Sequence, residues 1–246
     1  MIIIYSTSEV AKIAGIHPNT VRWYEKMKYL PPVNRKKNGY RVFNDTHLEQ
    51  LKLIKIAFRC EVLQSNLRNK AIEIILICAD GKYEEALTKA EAYHLDMCNE
   101  KAKAEEAVEI IRDFINYHNP NAVPISLKRN EAAKHLGITI DTLRNWELNG
   151  LIDVKRKTNG YRFYTDNDIR ELKIIRVLRD ANYSLMSILR MLQHLRNDSN
   201  HKDLRMILDT PPPDEDIVYV TDKLLTSLSN AQEDTKEIIR CISKLK

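Results

Sequence analysis

One folded unit is written twice in this chain. Residues 9–25 (EVAKIAGIHPNTVRWYE) match residues 131–147 (EAAKHLGITIDTLRNWE) at eight of 17 positions. After a one-residue gap, residues 38–54 (NGYRVFNDTHLEQLKLI) match residues 159–175 (NGYRFYTDNDIRELKII), again at eight of 17. Chance gives about one identity in 17 on background frequencies. The repeat fixes the unit of explanation: one module, present in two copies.

Composition decides the kind of module. Six glycines and eight prolines in 246 residues favour helices over turn-rich sheets. The net charge of +5 permits nucleic-acid binding without arguing for it, so the placement of charge must decide. MIIIYS lacks the basic flank and length of a secretory signal, and no apolar run is long enough to span a bilayer. Cys60, Cys78, Cys98 and Cys241 are scattered, with no CxxC pair. These features lead to the expectation of a cytoplasmic protein with reduced thiols, and no membrane partner.

Each copy opens with a short amphipathic helix, Ser8–Ala14 in the first, broken by Gly15 or Gly137. A second helix follows, with Pro18 at its first position in copy one and Thr139 as its N-cap in copy two. Helix, glycine turn, helix is the pattern of a helix-turn-helix. Asn38-Gly39 and Asn159-Gly160, flanked by β-formers, predict a hairpin directly after it: a wing. Asp45 and Asp166 are expected to cap a third helix, and a fourth is expected near 64–78 and 184–195.

Two long single-stripe helices complete the pattern. One stripe runs through Leu87, Ala90, His94, Met97, Lys101, Ala104, Val108, Ile111 and Ile115. The other runs through Ile217, Thr221, Leu224, Leu228, Ala231, Thr235, Ile238, Ile242 and Leu245. Steps of four and three are a heptad seam, and each seam needs a facing helix. The expected fold is mostly α with small β-hairpin wings: two winged helix-turn-helix domains, each followed by a long coiled-coil helix. Its boundaries are module 1 at 1–80, long helix 1 at 81–118, linker 119–127, module 2 at 128–196, connector 197–216 and long helix 2 at 217–246.

Basic residues gather in the wings: Arg35, Lys36, Lys37 and Arg41 in copy one, Lys155, Arg156, Lys157 and Arg162 in copy two. Phosphate contacts dominate DNA affinity, and a basic hairpin suits a groove edge. The second helices, Asn19–Met27 and Asp141–Asn149, are the ones expected in the major groove. Expected contacts there are Asn19, Arg22 and Trp23, against Thr142, Arg144 and Asn145, with Tyr40 and Tyr161 in the wings. The ordinary alternative for Arg22 and Arg144 is an ion pair with Glu25 or Glu147. Tyr24 and Trp146 read as core. Trp23 against Asn145, and Asn19 against Asp141, imply that the halves read different bases.

These residues resemble the MerR family of bacterial transcription regulators. The likeness rests on Thr20-Val-Arg-Trp-Tyr-Glu25 with Asn38-Gly-Tyr-Arg41, and on Thr142-Leu-Arg-Asn-Trp-Glu147 with Asn159-Gly-Tyr-Arg162. Asn182-Tyr-Ser-Leu-Met-Ser-Ile188 and Asn149-Gly-Leu-Ile152 extend it in copy two, while copy one departs at Glu61–Leu67 and at Lys28-Tyr-Leu30. The resemblance implies a dimer paired through antiparallel long helices on double-stranded promoter DNA, distorting it for RNA polymerase in the bacterial nucleoid. With two modules in one chain, a single-chain pseudo-dimer and a homodimer both stay open. An architectural or excisionase-like factor is the alternative function. No P-loop, metal-ligand cluster or nucleophile elbow supports an enzyme, and no cofactor is expected. A small-molecule effector is left unspecified. Cys78 and Cys241 form a low-ranking thiol pair for a soft metal or redox sensing, and His17, His94, His118 and His135 read as surface or seam residues.

Overall fold

The computed structural model describes residues 4–59, 65–116, 126–154, 162–197, 203–211 and 220–246. The chain divides into two compact units. Unit 1 takes residues 1–99 and 228–246; unit 2 takes residues 100–227.

Unit 1 begins with α1 (Thr7–Ala14) and α2 (Pro18–Lys26). Ser6 and Glu9 close a reciprocal capping box on α1: Glu9 N–H donates to Ser6 Oγ at 3.3 Å, and Ser6 N–H to Glu9 Oε2 at 2.7 Å. Gly15 takes the left-handed conformation at the break, with φ 66°. His17, read from sequence as a surface or seam residue, caps α2 instead: its Nδ1 accepts from Asn19 N–H at 3.1 Å. Strands β1 (Asn34–Arg35) and β2 (Arg41–Val42) form the expected antiparallel wing, closed by a turn with Gly39 at φ 82°. Helices α3 (Asp45–Arg59) and α4 (Ser65–Ala79) follow. Asp45 is the first helical residue and not the cap; Asn44 Oδ1 accepts from His47 N–H at 3.2 Å. The core gathers Val10, Val21, Phe43, Leu51, Ile54 and Ile75.

Helix α5 (Tyr83–Asn116) enters that core through Ala86, Ala90, Tyr93 and Met97, and α11 (Leu224–Leu245) does so through Ile238, Cys241 and Ile242. The two run antiparallel within unit 1. His94 Nδ1 lies 2.7 Å from Thr235 Oγ1, and Lys246 pairs with Glu84. Two of the polar seam residues, His94 and Thr235, thus meet each other across the seam. Arg59 of α3 adds ion pairs to Asp234 at 2.7 Å and Glu237 at 2.8 Å. The second long α-helix starts at Leu224 and not at 217. A 3-10 turn, Val220–Lys223, precedes it, and Ile217 and the Thr221 side chain lie outside the described residues.

Unit 2 repeats the plan with α6 (Arg129–Leu136), α7 (Ile140–Leu148), α8 (Asp166–Asp180) and α9 (Leu185–Asn197). Gly137 again holds the left-handed turn, at φ 61°. Thr139 caps α7 as expected, accepting from Thr142 N–H at 3.0 Å. On α8 the cap is Thr165, which accepts from Asp168 N–H at 3.4 Å; Asp166 is the first helical residue. Strand β3 (Ser126–Lys128) pairs antiparallel with β4 (Phe163–Thr165), with Leu127 opposite Tyr164. Unit 1 makes the same join as a single bridge between Tyr5 and Phe43. The second hairpin turn expected at Asn159-Gly160 lies outside the described residues.

Two further features are shared by the modules. Lys55 on α3 donates to the Ala14 carbonyl at 3.2 Å, and Arg176 on α8 donates to the Leu136 carbonyl. These residues and carbonyls are equivalent in the repeat. Each cation satisfies an orphan carbonyl at the end of the first helix, where the helix dipole is negative. The second feature is a left-handed residue after the second helix. Copy two places Gly150 there at φ 72°; copy one forces Lys28 to φ 60°.

Between α9 and α11 the connector holds a helix that sequence periodicity missed, α10 (Leu204–Asp209). Leu204 and Leu208 are buried, and Arg190 of α9 donates to the Ile207 carbonyl at 2.8 Å and the Leu208 carbonyl at 3.1 Å. Six residues are too few for the helical period to register. The central part of unit 2 also receives residues 100–116 of α5: buried Tyr183 donates to the Ala104 carbonyl at 3.1 Å, and Arg205 pairs with Glu109 at 3.0 Å.

Candidate nucleic-acid interface

The second helix of each module exposes one face and buries the other. In α2, Val21 is buried while Arg22 and Trp23 are exposed; in α7, Leu143 and Trp146 are buried while Arg144 and Asn145 are exposed. Trp146 is therefore core, as read from sequence. Tyr24 is half-buried within an aromatic group that includes Tyr29 and Phe58.

Glu25 and Glu147 do not pair with Arg22 and Arg144. Glu25 binds Arg35 at 3.3 Å and also Arg41, so it ties α2 to both strands of the wing. Glu147 binds Arg129 at 2.6 Å and Arg162 at 3.2 Å, and accepts from the Tyr164 hydroxyl. Thus Glu147 joins α7 to the start of α6, to β4 and to the end of the wing. Burial, and then the bond to Glu147, push the Tyr164 phenol up to about 12. The hydrogen bond to Tyr164, with further help from Glu147, raises the Arg129 guanidinium.

The wing arginines Arg35, Arg41 and Arg162 consequently carry part of their charge against carboxylates of the same module. They position the wing on the second helix. Arg22 and Arg144 are left exposed. Arg22 Nη1 donates to Asn19 Oδ1 at 2.5 Å, which draws the guanidinium along the helix face toward its N-terminus. Asp141 replaces Asn19 in the second module and is also exposed.

Of the remaining expected contacts, Lys36, Lys37 and Tyr40 are exposed on the first wing, Tyr40 by 71%. Lys36 lies close enough to Glu9 to help lower that carboxyl, though the Ser6 bonds do more. Thr142 is half-buried, with its Oγ1 2.8 Å from Thr139 Oγ1. Lys155, Arg156, Lys157 and Tyr161 lie outside the described residues. Thr139, Asp141, Thr142 and Asn145 line an open cleft of about 860 Å³ with Arg176 and Arg179, two cations that sequence reading did not select. Arg176 is legible in hindsight as the equivalent of Lys55.

The thiol pair has no such support. Burial pushes the Cys78 thiol up to about 12 and raises Cys241 as well. A redox thiol reacts as its thiolate, and burial disfavours that form in both side chains. Among the described residues, no three His, Cys, Asp or Glu side chains are grouped to hold a metal ion, and no helix is long and apolar enough to cross a membrane.

Comparison with known proteins assigns both modules to one family. The family described as MerR HTH family regulatory protein matches residues 5–76 and again residues 127–195, more than half of the chain. The chain is similar to the HTH-type transcriptional regulator ZntR of Escherichia coli, 39% identical over 72 residues, covering 29% of this chain and 50% of ZntR. It is also similar to the HTH-type transcriptional regulator AdhR of Bacillus subtilis, 40% identical over 60 residues, covering 24% of this chain and 43% of AdhR. The chain spans half or less of the length of these curated relatives. A solved structure titled HiNmlR, a MerR family regulator lacking the sensor domain, bound to promoter DNA, aligns at 23% identity with a TM-score of 0.30, covering 57% of this chain and 96% of that one.

Proposed function

This chain belongs to the MerR family of helix-turn-helix regulatory proteins, and we propose that it is a sequence-specific regulator of transcription in which both modules contact one double-stranded promoter site. The observation that carries this reading is the exposed arginine at the same place on both second helices, Arg22 and Arg144, each beside a carboxylate already engaged by the wing side of its module. A guanidinium held on a recognition helix suits a guanine edge or a phosphate.

A single chain acts as a pseudo-dimer in this reading. Support comes from unit 1, where the stripe of α5 is met by α11 of the same chain through the His94–Thr235 contact. Promoter distortion, and use of the distorted site by RNA polymerase, follow from the family. The cytoplasm, at the nucleoid, is the corresponding place of action.

The test is a footprint on DNA selected from a random pool, combined with the mass of the complex in solution. One chain protecting two adjacent half-sites is the expected result. Arg22→Ala and Arg144→Ala should each weaken binding; if the lost contact is to phosphate, the dependence of log K on log salt also flattens by about 0.9. Two chains per site, or binding that both substitutions leave intact, would refute the proposal. A ring-closure or permuted-fragment assay reads the bend.

A further inference from the structure

The two recognition helices differ most at one aligned position, where Trp23 stands in the first module and Asn145 in the second. Both side chains are solvent-exposed, Trp23 by 49%. Neither is needed for the core of its module. Their chemistry could hardly be more different.

Trp23 has one polar group, an indole N–H donor. Its ring meets Tyr29 edge-on with centroids 5.8 Å apart and lies tilted against Tyr24 at 5.5 Å. Two aromatic contacts restrict its rotation and present a flat apolar edge. Such a group meets a thymine methyl or a sugar. Asn145 carries both a donor and an acceptor. Asn149, one turn on, donates its Nδ2 to the Asn145 carbonyl at 2.8 Å and to Asn145 Oδ1 at 3.3 Å. This fixes the carboxamide against the helix. It leaves a second lone pair on Oδ1 and both Nδ2 hydrogens for a partner. Adenine N6 and N7 form the complementary pair for that arrangement.

We infer that Trp23 and Asn145 are the residues that make the two half-sites unequal: Asn145 specifies an adenine in the half read by module 2, and Trp23 makes only an apolar contact at the equivalent step in the half read by module 1. This rests on the two-module reading above. The neighbouring pair diverges in the same direction. Asn19 holds Arg22 in the first module, whereas the second places the carboxylate of Asp141 there. A homodimer of one module reads both halves alike; a duplicated chain is free of that restriction.

The experiment uses the full chain and a site selected from random DNA, with each base placed in turn at the step in question. In the wild type, replacing the adenine in one half should weaken binding by roughly 5- to 100-fold. Asn145→Ala should erase that discrimination in that half alone. Trp23→Ala should lower affinity evenly across bases, and Trp23→Asn should create an adenine preference in the other half. Asn149→Ala, which only loosens Asn145, should weaken the discrimination without removing it. Thermal melting of each variant separates a lost fold from a lost contact. A footprint over one half-site would overturn the two-module reading and this assignment with it. Two protected halves with the same base preference, or discrimination that survives Asn145→Ala in a folded protein, would overturn the assignment alone.

Discussion

Replacing Glu147 by Gln should destabilise unit 2 more than the equivalent Glu25→Gln destabilises unit 1. The Glu147 side chain is only 8% exposed, and it answers two arginines that are themselves 28% and 35% exposed, as well as the buried Tyr164 hydroxyl. Removing one partner of a fully buried pair costs about 3–5 kcal/mol. Arg129 and Arg162 can turn partly to water, so about 2–3 kcal/mol is expected here. Glu25 is 19% exposed and its partners Arg35 and Arg41 are 51% and 27% exposed, with no buried hydroxyl to answer, so its loss should cost less, about 1–2 kcal/mol. The chain contains two tryptophans, Trp23 on α2 and Trp146 on α7. In a Trp23→Phe background, the buried Trp146 alone reports on unit 2. With a urea slope of about 1–3 kcal/mol per molar, Glu147→Gln should lower the Trp146 unfolding midpoint by about 1–2 M. A Trp146 midpoint that moves no further than the Trp23 midpoint does for Glu25→Gln in a Trp146→Phe background would refute the argument that Glu147 ties α7 to the rest of its module.

Other perturbations test other links. Lys28→Gly should stabilise unit 1 by about 0.5–1 kcal/mol, because it relieves a left-handed lysine at some cost in unfolded-state entropy; chemical denaturation checks it. Burial holds His47 below its usual 6.5, so below that pH the unfolded chain binds a proton that the folded one refuses. Stability present above pH 6.5 should therefore fall as the pH drops through the lowered value, and His47→Asn should flatten this acid limb in melting curves. Tyr164 has the opposite sign: its raised value means that stability present below pH 10 is lost as the pH climbs toward about 12, and Tyr164→Phe should reduce the alkaline loss, leaving the share of other raised tyrosines such as Tyr183. Among Cys78, Cys98 and Cys241, only Cys98 is not buried, so mass spectrometry after brief alkylation of the folded protein should find Cys98 modified ahead of the other two.

Much of the fold was legible because duplication and periodicity are local signals. Both helix-turn-helix pairs, the first wing and the first long helix follow from glycines, caps and apolar spacing within short windows. What escaped depends on partners distant in sequence. The pairing of β3 with β4 joins residues near 127 and 164, and the Lys55 and Arg176 contacts reach back some 40 residues. The caps of α3 and α8 were misplaced by one residue, since Asn44 and Thr165 sit beside equally plausible aspartates. On the second helices the exposed and buried faces were legible in the sequence, but the ion pairs of Glu25 and Glu147 were not. Wing arginines looked like free cations because nothing in the sequence shows that Glu25 and Glu147 turn toward the wing and away from the arginine three residues before them. That choice is set by where the hairpin docks, which is a tertiary fact.

The nesting of the units has a consequence for biosynthesis. Unit 2 is continuous in sequence, whereas unit 1 is interrupted by it and closes only with residues 228–246. Ile238, Cys241 and Ile242 belong to the same core as Val10 and Ile75. A growing chain therefore emerges with its first module translated early yet missing one wall, and the second module, begun later, has its whole core available sooner. Vectorial synthesis normally lets the N-terminal part settle first. Here the order of completion is reversed, and the first module made is the last to be finished. Until the final helix arrives, the apolar faces of α4 and α5 are open to any other chain emerging nearby.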